Sequence, residues 1–341
     1  MSIILEKESR CAVIGHGSWA TGLVKILIDS GALGGDARVG WYVRNPEVLA
    51  SLKSEGRNPR YLSDVEFDTS RLDLSGDINS VVTGADVVIL AAPSAFIKTW
   101  LEPLTAPLAE RFVISAIKGI VPGNYLSVTE YLSRHYGLTL GRTGVIGGPS
   151  HAEEIALERL SYLTIACENL DNARIMTHKL SARYIRTTIS SDIHGVEFAA
   201  ILKNIYALSV GIATGLGYGD NFLSVLISNG AREMRRFLDG RFPFAGRDTD
   251  TSAFLGDLLV TAYSPFSRNR RFGMMIGKGL HVKSAQMELG GVAEGYYASE
   301  TVRHVNADHG IEMPIAEAVY DILYEGASPS KTMRNLTNKL I

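Results

Sequence analysis

The strongest constraint on the fold lies near the N-terminus. An apolar run, Cys11-Ala12-Val13-Ile14, leads directly into Gly15-His16-Gly17-Ser18-Trp19-Ala20, and Leu23, Ile26 and Leu27 then recur with helical spacing. Strand, tight glycine turn and helix in that order form the G-x-G-x-x-G/A fingerprint of a dinucleotide site. Gly15 makes the turn, Gly17 lets the backbone approach a pyrophosphate, and Ala20 keeps the helix close to the strand. The helix N-terminus offers its unpaired N–H groups to the phosphates. The alternative is a structural glycine turn; the position of the motif at the head of a long alternating segment favours the dinucleotide. His16 reads as a turn residue packing beside the cofactor, not as a catalyst.

The alternation supplies the fold class. Apolar runs at 38–43, 87–91, 112–116, 144–147 and 162–166 are separated by helical patterns. Continuously apolar strands joined by helices predict a parallel sheet buried on both faces, the doubly wound α/β class. Beyond residue 192 strand-like runs become scarce. Helical spacing is predicted over 196–215, 222–238, 257–263, 293–308 and 315–324, with a surface loop at 239–250. The chain is therefore expected to comprise a Rossmann-type domain, 1–192, and an all-α domain, 193–341.

Composition excludes several functions. The 34 Lys and Arg against 36 Asp and Glu leave a net charge of -2, which gives no reason to expect nucleic acid or an anionic membrane as the main partner. Cys11 and Cys167, alone in apolar runs, read as buried thiols and not as a disulfide or zinc ligands. No metal site is expected. The N-terminal residues do not resemble a signal peptide, and no uninterrupted apolar run approaches the ~18 residues of a membrane span, so the expected location is the cytoplasm.

Two features point to the chemistry. The second strand ends Tyr42-Val43-Arg44-Asn45. An NAD-selective site carries an acid there for the ribose 2′-hydroxyl, whereas Arg44 suits a 2′-phosphate, so NADP is expected, with NAD also accepted. The alternative is a solvated arginine. The segment 196–215 is apolar on every face, which marks a buried helix, yet it carries Lys203 and Asn204. Lowering a lysine pKa from ~10.4 to ~7.5 takes roughly 4 kcal/mol, the work that desolvation does in making lysine a general base. A structural ion pair or a snorkelling lysine is the other reading. Lys118 follows a strand at the carboxyl end of the sheet, Asp257 follows Gly256, and Ser267-Arg268-Asn269-Arg270-Arg271 concentrates three arginines that can grip a phosphate or line a solvated turn.

Read together, these segments resemble the bacterial NAD(P)-dependent glycerol-3-phosphate dehydrogenase family. Gly15-His16-Gly17-Ser18-Trp19 is similar to its G-x-G-S-W-G opening, and Asn58-Pro59-Arg60-Tyr61-Leu62 and Ala92-Pro93-Ser94 match internal blocks. Ala116-Ile117-Lys118-Gly119, Gly148-Pro149-Ser150-His151-Ala152, Gly195-Val196-Glu197 through Leu202-Lys203-Asn204, and Gly215 through Asn221 continue the resemblance over nearly the whole chain.

The resemblance implies a second domain like that of 6-phosphogluconate dehydrogenase. It also implies interconversion of sn-glycerol 3-phosphate and dihydroxyacetone phosphate with NAD or NADP, supplying phospholipid synthesis, by a cytoplasmic homodimer. On this basis Lys203 is the proton acceptor, Asp257 orients it, and Lys118 and Asn204 hold the reacting oxygen and cofactor region. Gly148, Ser150, Ser267, Arg268 and Asn269 bind substrate, the Arg–Asn pair on its phosphate. Gly15, Gly17, Ser18, Trp19, Arg44, Lys118, Ala152, Arg268, Val292 and Glu294 contact the dinucleotide. The chain departs from the family pattern at Ala20, at His151 in place of an aromatic, at 253–255 before Asp257, and in an apparent insertion at 241–250. Two-domain 3-hydroxyacid and ketopantoate reductases share the general pattern and are the nearest rival.

Overall fold

Cys11–Ile14 (β1), Val39–Tyr42 (β2), Leu72–Ser75 (β3), Val87–Leu90 (β4) and Phe112–Ser115 (β5) begin the sheet of the first unit, and β1, β4 and β5 are buried at every position. The computed structural model describes residues 3–34 and 37–341. It divides into two units: Met1–Ile117 with Val128–Ile193, and Lys118–Ser127 with His194–Ile341. A two-stranded hairpin, Ile120–Val121 (β6) and Leu126–Ser127 (β7), forms the short segment of the second unit. Thr143–Gly147 (β8), Ser161–Cys167 (β9) and Ile185–Ser190 (β10) complete the eight-stranded sheet, ordered β10-β9-β8-β5-β4-β1-β2-β3.

The sheet is parallel except at one junction. β8 and β9 pair antiparallel, so β9 and β10 run against the other strands. The doubly wound sheet is the one expected; its single antiparallel junction was not legible, because a continuously apolar strand looks the same in either direction. Helices cover the faces: Ser18–Asp29 (α1), Pro46–Glu55 (α2), Ile78–Thr83 (α3), Ile97–Leu101 (α4), Val128–Tyr136 (α5), Ala152–Ala156 (α6) and Leu170–Leu180 (α7). Leu23, Ile26 and Leu27 of α1 bury against a core that includes Val13, Trp41 and Ile89, and both cysteines are buried and free. Asn45 caps α2 by accepting a hydrogen bond from the Val48 N–H, Pro46 starts the helix, and Gly56 ends it in the left-handed region.

The second unit is helical: Ile193–Gly215 (α8), Asp220–Arg241 (α9), Asp257–Tyr263 (α10), Arg268–Gly277 (α11), Val282–Leu289 (α12), Glu294–Asn306 (α13), Pro314–Tyr324 (α14) and Pro329–Thr337 (α15). The boundary expected at 192/193 misses the hairpin. β6 packs on α13 and Tyr125 stacks on His304 at 3.9 Å, which ties 118–127 to the helices that follow it by more than a hundred residues. α8 is long and apolar enough to cross a membrane by composition, but its apolar window is entirely buried inside the protein.

α8 and α11 cross with their backbones in contact. A Cβ at Gly211 would strike the carbonyl oxygen of Arg270, and one at Gly273 would strike that of Leu208. Glycines at 215 and 277 repeat the contact one turn on. This approach brings the first turn of α11 against the middle of α8, where Lys203 and Asn204 lie. Overpacking a tight crossing costs ~1–3 kcal/mol. Gly273→Ala is therefore expected to lower the Tm by several degrees and to reduce activity together with it; a thermal melt matching the wild type would show that the crossing is not tight.

Candidate functional site

The turn after β1 has two glycines under different constraints. Gly15 sits at φ +140°, and a Cβ there would lie 2.6 Å from the Ala91 carbonyl oxygen, so the fold itself demands glycine. Gly17 has ordinary extended geometry as the residue before α1, and a Cβ there meets nothing within 4 Å. Internal packing leaves Gly17 free to be larger; a ligand backbone approaching the turn does not. No side chain caps the N-terminus of α1 and its first turn carries no acid, which leaves the positive end of the helix dipole without an anionic side chain of its own. A pyrophosphate fits this cradle.

Neighbouring groups stiffen the turn. Asn58 is buried and donates to the His16 carbonyl and to Thr21 Oγ1, both at 2.9 Å. Trp41 Nε1 donates to the Gly15 carbonyl at 2.6 Å. Trp19 Nε1 donates to the Ala116 carbonyl at 3.1 Å, so its indole braces the end of β5, and Ser18 lies half-buried at the first position of α1. Arg44 projects from the end of β2 over the Trp100 ring. Burial, then the charges of Arg44 and Arg60, push the His16 pKa down to about 4. Elsewhere in this unit Gly148 adopts φ +100° against the Tyr162 carbonyl, Ser150 Oγ donates to the Gly148 carbonyl at 3.0 Å, and Ala152 opens α6 behind His151. A cavity of about 680 Å³ at the amino ends of β1–β3 touches none of these residues; dinucleotides bind at the opposite, carboxyl ends of such strands.

The second unit assembles a separate polar cluster in an apolar helix bundle. Lys203 is 4% exposed and Asp257 1%. Lys203 Nζ donates to Asp257 Oδ1, and Lys118 Nζ donates to Oδ2 at 3.3 Å. One carboxylate therefore holds two ammonium groups. The segment 252–256, unlike the family's glycine-rich approach, forms a π-turn that delivers Asp257 to the start of α10, and Thr261 Oγ1 donates to the Asp257 carbonyl at 2.6 Å. Burial pushes the Lys203 pKa down to about 7; Asp257 opposes that shift and Lys118 reinforces it. Burial alone would raise the Asp257 carboxyl, but the two lysine charges outweigh it and hold it below its ordinary value.

A relay of amides joins this cluster to the next two helices. The Gly295 N–H donates to Asn269 Oδ1 at 2.9 Å, Asn269 Nδ2 donates to Asn204 Oδ1 at 2.8 Å, and Asn204 Nδ2 donates to the Lys118 carbonyl at 2.7 Å and to that of Ala200 at 3.1 Å. Ser267 caps α11 by accepting from the Arg270 N–H at 3.2 Å, and Arg268 is exposed at the first turn beside Gly291. The helix corrects the alternative of a solvated turn for 267–271. Val292 and Glu294 are half-buried at the entry to α13.

The structure thus brings Lys118, Lys203, Asn204, Asp257 and Asn269 into one connected cluster, with Arg268, Val292 and Glu294 on the elements that frame it. Of the residues expected at the dinucleotide, Gly15, Gly17, Ser18, Trp19, Arg44 and Ala152 lie in the first unit, and Lys118, Arg268, Val292 and Glu294 in the second. Sequence reasoning assigned no role to Asn58, Thr261, Gly295 or Trp100. Asn58 lies in a block that carries the family resemblance; nothing in spacing marks the other three.

Two family models match the chain: the N-terminal part of NAD-dependent glycerol-3-phosphate dehydrogenase over residues 10–173, and its C-terminal part over 192–334. Curated relatives named glycerol-3-phosphate dehydrogenase [NAD(P)+] include one from Thermobifida fusca, 33% identical with 95% of each chain covered, and one from Nocardia farcinica, 34% identical with 98% of this chain and 99% of the relative covered. The crystal structure of glycerol-3-phosphate dehydrogenase from Coxiella burnetii superimposes with a TM-score of 0.85 at 29% identity, covering 97% of this chain and 99% of its own.

The two fingerprint glycines separate stability from binding. Gly15→Ala is expected to destabilise the first unit by several kcal/mol through strain and steric overlap. Gly17→Ala should leave the thermal melt nearly unchanged, within ~0.5 kcal/mol, and weaken dinucleotide binding measured by titration. Equal dinucleotide affinity in the Gly17 variant would refute the cradle.

Proposed function

This chain belongs to the NAD-dependent glycerol-3-phosphate dehydrogenase family, and on that premise we propose that it interconverts sn-glycerol 3-phosphate and dihydroxyacetone phosphate. The observation that carries this reading is the buried Lys203, held with Lys118 on the single carboxylate of Asp257. Its cofactor is NAD or NADP, held at the fingerprint turn of the first unit; when bound, the dinucleotide supplies the acceptor for the hydride leaving the substrate carbon.

The acid–base work falls to the second unit. In the oxidative direction neutral Lys203 takes the hydroxyl proton as the C–H hydride departs, so the substrate leaves as a ketone and Lys203 as an ammonium. In the reductive direction the Lys203 ammonium polarises the carbonyl and returns its proton to the developing alkoxide. Lys118 adds positive charge where that oxygen becomes negative. Asp257 keeps both ammonium groups aimed and resists the loss of charge that burial imposes on Lys203. Arg268, at the first turn of α11, offers a guanidinium and a helix N-terminus to the substrate phosphate. Arg44 reads the adenosine 2′-phosphate of NADP. The enzyme acts in the cytoplasm as a homodimer and supplies glycerol 3-phosphate for phospholipid synthesis; its mass in size-exclusion chromatography with light scattering checks the dimer.

Purified protein is expected to oxidise NADPH with dihydroxyacetone phosphate and not with 2-ketoacids; activity on the ketoacids alone would replace this reading by the ketopantoate-reductase one. Lys203→Ala should lose at least ~10²-fold in kcat while still binding NADPH.

The pH dependence follows from Lys203. With its pKa near 7, kcat/KM for glycerol 3-phosphate oxidation should fall as pH drops below about 7, because the ammonium cannot accept a proton. The reductive reaction should fall as pH rises through the same point. Asp257→Asn removes the anion that opposes deprotonation, so the acidic limb of the oxidative profile should move to lower pH. An unmoved limb would assign the titration to another group. Arg44→Ala should raise KM for NADPH more than for NADH.

A further inference from the structure

Among the described residues no carboxylate pairs with Arg44, whereas nearby Arg60 is bound to Glu47 at 2.5 Å. The partner of Arg44 is a ring: the guanidinium carbon lies 4.6 Å from the Trp100 centroid. Trp100 belongs to α4, which follows β4, and Arg44 follows β2. In the strand order β4-β1-β2 these two arms meet over the end of β1, where the fingerprint turn begins. The indole is 4% exposed and packed by His16 at 5.1 Å and by Tyr42, edge-on, at 5.7 Å. It is a fixed platform under an otherwise exposed side chain.

We propose that Trp100 is the positioning residue for cofactor selectivity: its indole holds the Arg44 guanidinium by its face, leaving the in-plane N–H groups to meet the 2′-phosphate of NADP(H). This rests on the reading of Arg44 given above. The physical reason is preorganisation. A free surface arginine loses rotamer freedom when it grips an anion, and a stacked one has already lost it. The ring attracts the cation without neutralising it, so the full charge stays available to a dianion. A carboxylate partner would have held the side chain equally well and cancelled that charge. His16, neutral at pH 7 because burial and the arginines depress its pKa to about 4, packs the indole without adding a competing charge. Specificity for the phosphate thus depends on two residues from different connections of the sheet, only one of which touches it.

The test uses the full-length enzyme and two probes that differ only by the phosphate, adenosine 2′,5′-bisphosphate and adenosine 5′-monophosphate, titrated calorimetrically. Trp100→Leu should weaken the bisphosphate about 5-fold, the scale of one cation–π contact, and leave the monophosphate within about 2-fold. KM for NADPH should rise in parallel, with kcat and KM for NADH unchanged, and Trp100→Phe should recover most of the loss. The proposal is overturned if Trp100→Leu binds the bisphosphate normally, or weakens both probes alike with no recovery in Trp100→Phe. Should Trp100→Leu fail to fold, Trp100→Phe carries the decision: its weaker π face predicts a selective loss of about 2-fold, and wild-type affinity for the bisphosphate refutes the platform. Arg44→Ala separates the two levels. A selective loss there with none in the Trp100 variants removes only this inference; an equal loss of both probes in Arg44→Ala removes the 2′-phosphate reading on which it stands.

Discussion

One buried carboxylate organises the polar cluster of the second unit. Asp257 is nearly inaccessible and accepts from both Lys203 and Lys118. Two ammonium groups against one carboxylate leave a net positive charge in a low-dielectric setting, and that excess has to be relieved. Burial first, with the Lys118 charge adding to it, brings the pKa of the more deeply buried Lys203 down to about 7. The balance is narrow. Burial and Lys118 push the proton off, Asp257 holds it on, and neither side wins by a wide margin.

That balance depends on ångström-level placement of groups far apart in sequence. The π-turn at 252–256 carries Asp257 into the bundle, the hairpin 118–127 carries Lys118, and the middle of α8 carries Lys203. The close backbone crossing of α8 and α11 then fixes the distance between the lysine helix and the helix headed by Arg268. Removing one partner of such a buried set is costly chiefly because it leaves the others unpaired. The cluster is thus sustained by the whole second unit.

Much of this was legible in the sequence, and the misses share physical causes. β1, β4 and β5 are central strands, apolar throughout, and their runs identify them. β3 (Leu-Asp-Leu-Ser) and β10 (Ile-Arg-Thr-Thr-Ile-Ser) went unread because they are the two edges of the sheet, half-solvated and rich in polar residues. The reversal at β9 leaves no trace in composition, since hydropathy reports burial and not direction. α11 was hidden by its arginines, which occupy the exposed side of a helix whose buried side is Asn269, Phe272, Gly273 and Ile276. Lys203 stood out because a cation in an all-apolar helix violates the pattern around it. Trp100 did not, because an aromatic in a short apolar segment violates nothing; its role exists only in its contact with Arg44.

The amides show where residue identity and geometry part company. Asn204 has two N–H donors, and both are engaged, on the carbonyls of Lys118 and Ala200. Its oxygen accepts from Asn269 and keeps one lone pair. It can therefore receive a hydrogen bond from a hydroxyl but cannot donate one to a ketone, an alkoxide or a phosphate without first breaking an existing bond, at a cost of ~1–3 kcal/mol for the group left behind. Asn269 is the converse: one N–H is used on Asn204 and the other remains, so it retains a donor suited to a phosphate oxygen. On the proposed function, the donors left for the reacting oxygen are then the two lysines. Asn204 instead fixes the backbone that presents Lys118, so the charge balance at Asp257 inherits its geometry from a neutral side chain that carries no charge of its own.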